Sequence, residues 1–162
     1  MTDKAQSKNQ QWQAKLKASR QGLLNLLETL QPEQWERTVY SEGNQWTIRT
    51  VVSHLIDSER GMSIHIHKIR KGEETLPAGF DLTSWNAGVS KRMGDLTPAE
   101  LISGLEATRA KTLELLHKVE GHEWVLTGNH PSRGIITIDQ YYETIHGHEL
   151  IHTADMQKAL AG

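Results

Sequence analysis

The sequence contains no cysteine among its 162 residues. This absence excludes disulfide bonds, thiolate metal ligands and a cysteine nucleophile within the chain, so any thiol chemistry has to be supplied by a substrate. The sequence also lacks a surplus of positive charge, because 18 Lys and Arg residues stand against 20 Asp and Glu residues. We therefore expect no nucleic-acid partner, since capture of a phosphate backbone needs a basic surface.

Long apolar segments are missing as well. No apolar run approaches the roughly 20 residues that a membrane-spanning helix needs, and the N-terminal residues carry no apolar signal core. We expect a cytoplasmic protein without a membrane partner. The chain is long enough to bury a core without metal or disulfide support, and we predict a single domain over residues 1–162 in which residues 1–7 are disordered.

Hydrophobic periodicity predicts four long amphipathic helices. The first extends from about residue 8 until Pro32, the second from Ile48 to about Arg70, the third from Pro98 to near Gly121, and the fourth from Ile138 to about Leu160. Thr47, Thr97 and Thr137 stand where the N-caps of the last three helices are expected.

The connections carry weaker signals. Residues 32–45 are expected to form a connector with one short helical turn. A short extra helix should begin near Asp81, in the long connection between the second and third helices. Residues 124–134 should form a loop. No alternating strand-like segment of useful length is found. We therefore predict an all-α four-helix bundle, whose sites are usually built from side chains on facing helices.

The fourth predicted helix contains His148-Glu149-Leu150-Ile151-His152, which matches the H-E-x-x-H pattern of zinc peptidases. Helical spacing of four puts both imidazoles on one face, where they can reach one cation. An enzymatic zinc site needs a third ligand, and none of the ten residues after His152 is His or Glu, so Asp155 is the one possible downstream ligand. The peptidase, which would use Glu149 as its base, is therefore the least favoured hypothesis.

A third ligand more plausibly comes from the second predicted helix. By geometry alone either His54 or His65 could provide it, but the two are eleven residues apart, about 16 Å along the axis, and cannot share one metal. His54 is the better placed candidate. We expect His130 only to shape its loop and His146 to point to solvent, about 160° away from His148. The remaining histidines are predicted to lie at the surface, namely His67, His117 and His122. If His65 is not the ligand, it is predicted to lie at the surface too.

Four motifs follow one another along the chain: Trp46-Thr47-Ile48-Arg49-Thr50-Val51-Val52-Ser53-His54-Leu55, Trp85-Asn86, His130-Pro131-x-x-Gly134 and His148-x-x-x-His152. Together they resemble the DinB-like superfamily of small metal-binding four-helix bundles, from about Trp12 to Leu160. The resemblance implies that His54, His148 and His152 hold a divalent metal such as nickel, zinc or iron. It also implies a thiol-dependent transferase or isomerase that uses a low-molecular-weight thiol on a small-molecule substrate, and a homodimer. Where the family commonly has Gln, this chain has Asp155.

The chemistry of such a site agrees with the resemblance. Three neutral imidazoles leave a divalent metal its full charge and open positions, so a water or substrate thiol is deprotonated near neutral pH. We predict a metal-dependent transferase or hydrolase that attacks a small electrophile, with Asp155 receiving an imidazole N–H and Glu149 as a weaker candidate for proton transfer. The alternative is a non-catalytic metal-binding or stress-response protein that keeps the bundle.

Overall fold

The computed structural model describes residues 8–43 and 45–162 in full and residues 2–7 only as helical backbone. The expected disorder of residues 1–7 lies outside the fully described residues and stays a prediction. The described part of the chain forms six α-helices: α1 (Thr2–Glu28), α2 (Ile48–Arg70), α3 (Leu82–Ala87), α4 (Val89–Met93), α5 (Pro98–Leu116) and α6 (Ile138–Ala161). The four long ones correspond to the four predicted helices and form a bundle, which confirms the predicted fold class. No helix in the described residues is long and apolar enough to cross a membrane.

The predicted starts of three long helices are confirmed by their caps. The side-chain oxygens of Thr47, Thr97 and Thr137 each accept a hydrogen bond from the backbone N–H three residues further on. Each cap satisfies one of the amide groups that a helix N-terminus leaves without an intrahelical partner. The connections are more structured than expected: the single extra helix is in fact two, α3 and α4, which meet at Gly88. The short helical turn expected in the first connector is present as a 3-10 turn, Pro32–Glu36.

Four short strands are present that the sequence pattern did not indicate. Strands β1 (Thr38–Tyr40) and β2 (Trp46–Thr47) pair antiparallel, and so do β3 (Thr127–His130) and β4 (Gly134–Thr137). Ladders of two to four residues are too short to produce an alternating pattern that a sequence can show. The segment predicted as a loop is therefore largely the β3–β4 hairpin, whose turn ends at Gly134 with a φ of 74° that favours glycine.

The bundle brings α2 against α6. His54 of α2 faces His148 of α6, and His65 faces Tyr141, so the two helices are antiparallel. Helices α1 and α2 each contact both α5 and α6. The consecutive long helices α1 and α2 are therefore diagonally opposed across the bundle. Strands β2 and β4 end directly at the N-caps of α2 and α6, so each of the two short sheets leads into one helix of the α2–α6 pair.

Two apolar clusters fill the bundle, one on each side of a charged layer that consists of Arg20, Glu59, Arg109 and Glu149. Each long helix contributes one of these four residues, and each is at most 4% exposed. On α6, for example, Ile145 belongs to one apolar cluster and Met156 to the other. The layer holds two positive and two negative side chains, so its buried charges balance.

Candidate metal centre

Three histidines converge between α2 and α6. The Nε2 atom of His148 lies 3.0 Å from Nε2 of His54 and 3.0 Å from Nε2 of His152. One ligand atom from each of the three lies within 4.8 Å of the others, and the described residues hold no second such group of three. Nitrogen ligands about 2.0–2.1 Å from a tetrahedral zinc are roughly 3.4 Å apart. The structure therefore brings together the three residues that were predicted as ligands, at a spacing that suits one cation.

The electrostatic environment keeps these imidazoles neutral. Burial, followed by the neighbouring His152, lowers the pKa of His54 to about 4. Burial and the two neighbouring histidines lower the pKa of His148 to about 3, and burial also lowers the pKa of His152. At neutral pH each ring therefore keeps the lone pair that a metal ligand needs.

A hydrogen-bonded chain fixes the tautomer of His152. The hydroxyl of Tyr40 lies 2.5 Å from Oδ2 of Asp155 and 2.7 Å from Nδ1 of His152. The carboxylate can only accept, so the hydroxyl donates to Asp155 and its oxygen accepts from the Nδ1–H of His152. Nε2 of His152 is then the unprotonated nitrogen, and it points to the other two histidines. Burial and Asp155 raise the pKa of Tyr40, which keeps the hydroxyl protonated.

The structure thus corrects the predicted role of Asp155 in one respect. Its carboxylate reaches His152 through Tyr40, whereas the sequence suggested a direct contact with an imidazole N–H. Sequence reasoning missed Tyr40 because a tyrosine in a connector belongs to no helical face. The β1–β2 pairing, in which Tyr40 stands opposite Trp46, places it beside the histidines. The only available signal was its position shortly before the motif that begins at Trp46.

The other two histidines are oriented by packing. The ring of His54 packs against Trp46, with centroids 4.7 Å apart, and its Nδ1 is buried without a hydrogen-bond partner among the described residues. The hydroxyl of Ser58 donates to the carbonyl of His54 and lies 3.5 Å from Nδ1 of His148. The donor set of three neutral imidazoles with converging Nε2 atoms fits a divalent cation of the kind that nitrogen ligands prefer, such as zinc, nickel or iron.

Glu149 lies in the charged layer, away from this cluster. Its Oε2 accepts from Nη2 of Arg20 at 2.6 Å and from Nη2 of Arg109 at 2.7 Å, and the residue is 2% exposed. A carboxylate that is buried and held by two guanidinium groups has no free path to a substrate. This placement disagrees with the expected proton-transfer role and with the peptidase hypothesis, which needs the same carboxylate beside the metal.

A cavity of about 390 Å³ opens beside the histidines, with His54 and His148 in its wall. Most of its lining is apolar, from α2, the connection after α2, and α3, and includes Ile64, Leu76, Pro77, Phe80, Leu82 and Trp85. His65, Lys68 and His130 also line it. A small molecule that entered this cavity would contact the three-histidine cluster directly.

The remaining histidines agree with the predictions only in part. His67, His117 and His122 are exposed, as expected. His65 is half-buried in the cavity wall, so its assignment to the surface was wrong. His146 is also half-buried, because its ring packs against Trp12 with centroids 6.2 Å apart. His130 shapes its turn as predicted, since its Nδ1 accepts hydrogen bonds from the backbone N–H groups of the two residues that precede Gly134.

Comparisons with known proteins agree with the four-helix bundle described above. The sequence profile of the DinB superfamily matches residues 15–156. No curated protein matches the sequence significantly. Among solved structures, YfiT from Bacillus subtilis, described as a probable metal-dependent hydrolase with an unusual four-helix bundle topology, superposes with a TM-score of 0.76 at 22% identity, over 93% of this chain and 85% of that one.

Two further structures share the fold. The mycothiol-dependent maleylpyruvate isomerase superposes with a TM-score of 0.75 at 13% identity over 91% of this chain, which spans only 60% of the isomerase. The colibactin self-resistance protein ClbS, solved with double-stranded DNA, superposes with a TM-score of 0.70 at 14% identity, over 95% of this chain and 96% of that one. At these identities the likeness establishes the fold and leaves ligands and activity to be proposed.

Proposed function

The chain belongs to the DinB superfamily, and from this premise we propose that it is a divalent-metal-dependent enzyme acting on a small molecule, with His54, His148 and His152 as the metal ligands. The observation that carries the proposal is the convergence of three imidazoles at the wall of a cavity, with one ring nitrogen of each within 4.8 Å of the others. Zinc, nickel and iron all suit three imidazoles.

The reaction class follows from what the chain offers and lacks. A divalent cation on three neutral imidazoles supplies a Lewis acid that promotes deprotonation of a water or a thiol near neutral pH. The chain has no cysteine, so a thiol nucleophile would be a low-molecular-weight cosubstrate. We propose attack of such a thiol, or of water, on a small electrophile. The hydrolase and the thiol-dependent isomerase among the structural relatives support these two forms.

The residues around the histidines have positioning roles in this proposal. Tyr40, held by Asp155, keeps His152 in the tautomer that presents Nε2. The apolar lining of the cavity excludes water from the substrate and orients it. We assign Glu149 to the stability of the bundle. A cytoplasmic location, a homodimer and the absence of a nucleic-acid partner stay predictions.

Metal analysis tests the first part of the proposal. Protein purified without chelator or added metal should contain close to one divalent metal per chain, and His54→Ala and His148→Ala should lose it. His146→Ala is the matched control, because His146 lies on the same helix as His148 but packs against α1. Metal content that both ligand substitutions leave unchanged would contradict the proposal.

Turnover tests the second part. We expect metal-dependent consumption of electrophiles in a screen that pairs low-molecular-weight thiols with aryl halides, epoxides and activated esters, and no consumption by the His54→Ala variant. Metal binding without metal-dependent turnover of any pair, with or without thiol, would favour the non-catalytic metal-binding alternative.

A further inference from the structure

The cavity continues well beyond the three-histidine cluster. His54, His65 and Lys68 all line it from α2. Lys68 follows His54 by fourteen positions, which correspond to about 21 Å along a helix axis. A ligand that fills the cavity would therefore be elongated, with one end at the histidine cluster and the other near Lys68. This inference rests on the proposed function in that it takes the cluster as the reacting end.

The far end of the cavity carries an uncompensated positive charge. Lys68 is the one lysine or arginine among the lining residues, and Asp57 is the one carboxylate. Asp57 is already paired, because its Oδ2 accepts from Arg92 at 2.7 Å and from the indole N–H of Trp85 at 3.2 Å. Lys68 makes no ion pair with a carboxylate in residues 8–43 and 45–162. The cavity therefore favours an anionic ligand.

His130 adds a neutral hydrogen-bond donor at this end. Its Nδ1 accepts from the backbone N–H groups of Ser132 at 3.1 Å and Arg133 at 3.2 Å. Because Nδ1 accepts, the ring proton has to be on Nε2. Burial, helped by His65 and Arg133, lowers the pKa of His130 to about 4, so the ring stays neutral at physiological pH. The turn thus fixes His130 as an Nε2–H donor.

His65 has the opposite tautomer. The carbonyl of Asn129 accepts from the hydroxyls of Thr75 at 2.6 Å and Tyr141 at 3.1 Å. Because the Tyr141 hydroxyl donates its hydrogen bond to this carbonyl, its oxygen accepts a hydrogen bond from Nδ1–H of His65, 3.2 Å away. Nε2 of His65 is then a hydrogen-bond acceptor. The far end therefore offers a cation, a donor and an acceptor from three side chains that line the cavity.

We propose that this end of the cavity binds the carboxylate of an elongated, largely apolar small molecule that carries a hydroxyl or N–H next to the carboxylate. The ammonium of Lys68 and Nε2–H of His130 bind the carboxylate oxygens, and Nε2 of His65 accepts from the neighbouring hydroxyl or N–H. The apolar wall covers the middle of the molecule. The opposite end of the molecule, which carries the electrophilic centre, lies at the three-histidine cluster.

Three probes of similar shape test the proposal by calorimetry: 3-phenyllactate, 3-phenylpropanoate and 3-phenylpropanamide. The protein should bind phenyllactate most tightly and the amide most weakly. Lys68→Met should weaken both acids by about tenfold or more and leave the amide unchanged, since a hydrogen bond to a charged group contributes about 1.5–3 kcal/mol. Lys71→Met is the matched control, because Lys71 is an exposed lysine directly after the same helix and does not line the cavity.

Measurements on metal-stripped protein and on His54→Ala separate this inference from the proposed function. A carboxylate held by Lys68 binds in both, even if the chain has no metal-dependent activity. Binding that disappears with the metal and is unaffected by Lys68→Met would place the carboxylate at the histidines and overturn the inference. Equal affinity for acid and amide, or no binding of any probe to the unsubstituted protein, would also overturn it. Circular dichroism confirms that each variant is folded.

Discussion

The hydroxyl oxygen of Tyr40 lies 2.7 Å from Nδ1 of His152. Tyr40→Phe removes this contact but keeps the ring, so the fold should be unaffected. We expect metal affinity to fall by about 10- to 100-fold, the usual effect of losing a partner of a metal-bound histidine. Competition with a chelator of known affinity measures the change. Tyr142→Phe is the control, because Tyr142 is buried in an apolar cluster of the same bundle; equal losses in both variants would contradict a specific role for Tyr40.

Glu149→Gln should lower stability without abolishing metal binding. The substitution leaves the guanidinium groups of Arg20 and Arg109 with an uncharged partner, and breaking a buried ion pair costs on the order of 3 kcal/mol. Urea unfolding measures the loss. Glu143→Gln is the control, since Glu143 is exposed and pairs with Arg133 at 3.5 Å, a surface contact worth about 0–1 kcal/mol. A Glu149→Gln protein of normal stability that binds metal but has lost all turnover would restore Glu149 as a catalytic base.

The pH dependence of stability should report the burial of His130. Its pKa is about 4 in the folded protein against 6.5 as the ordinary value. Between these values the unfolded chain binds a proton that the folded protein does not, so stability falls as the pH decreases from about 6.5 to about 4. His130→Asn keeps an acceptor for the turn and removes the titration. Urea unfolding of metal-free protein across this range should show a shallower decline in the variant; parallel curves would contradict the prediction.

Gly128→Ala should disturb the packing around Thr75, a residue of the cavity wall. A Cβ at this position would lie 2.5 Å from Cγ1 of Ile69 and 3.0 Å from Cγ2 of Thr75, so β3 or α2 would have to move. Overpacking of this kind costs about 1–3 kcal/mol, and we expect weaker binding of the acid probes as well. Gly147→Ala is the control, because its Cβ meets nothing within 4 Å and alanine favours a helix. Thermal unfolding should therefore show a lower Tm for Gly128→Ala and a higher Tm for Gly147→Ala. An unchanged Tm in the Gly128→Ala variant would contradict the close packing.

The sequence predicted the long helices and two of the three histidines from local signals. Periodicity and caps located the helices, and the spacing of His148 and His152 identified them as a pair. His54 was different, because helical geometry alone did not exclude His65. The resemblance to the DinB-like superfamily favoured His54, and the structure brings His54 to the pair while His65 lines the cavity further along α2.

The features that the sequence did not show depend on contacts between distant segments. The charged layer joins residues as far apart as Arg20 and Glu149, which are separated by 129 positions. Each member interrupts an apolar stripe and looks like an ordinary charged position on its own helix. Tyr40 likewise acquires its role only when β1 pairs with β2 and Asp155 approaches from α6. No local pattern encodes such pairings.

The charged layer also limits how the helices can slide past one another. A shift of α6 by one turn along its axis would replace Glu149 with Ile145 or Thr153 opposite Arg20 and Arg109, leaving two buried guanidinium groups without this carboxylate. Apolar clusters alone tolerate such a slip, since one aliphatic side chain can replace another. The same shift would carry His148 about 5.4 Å away from His54. Charges far from any substrate therefore set the axial register on which the distance between the three imidazoles depends.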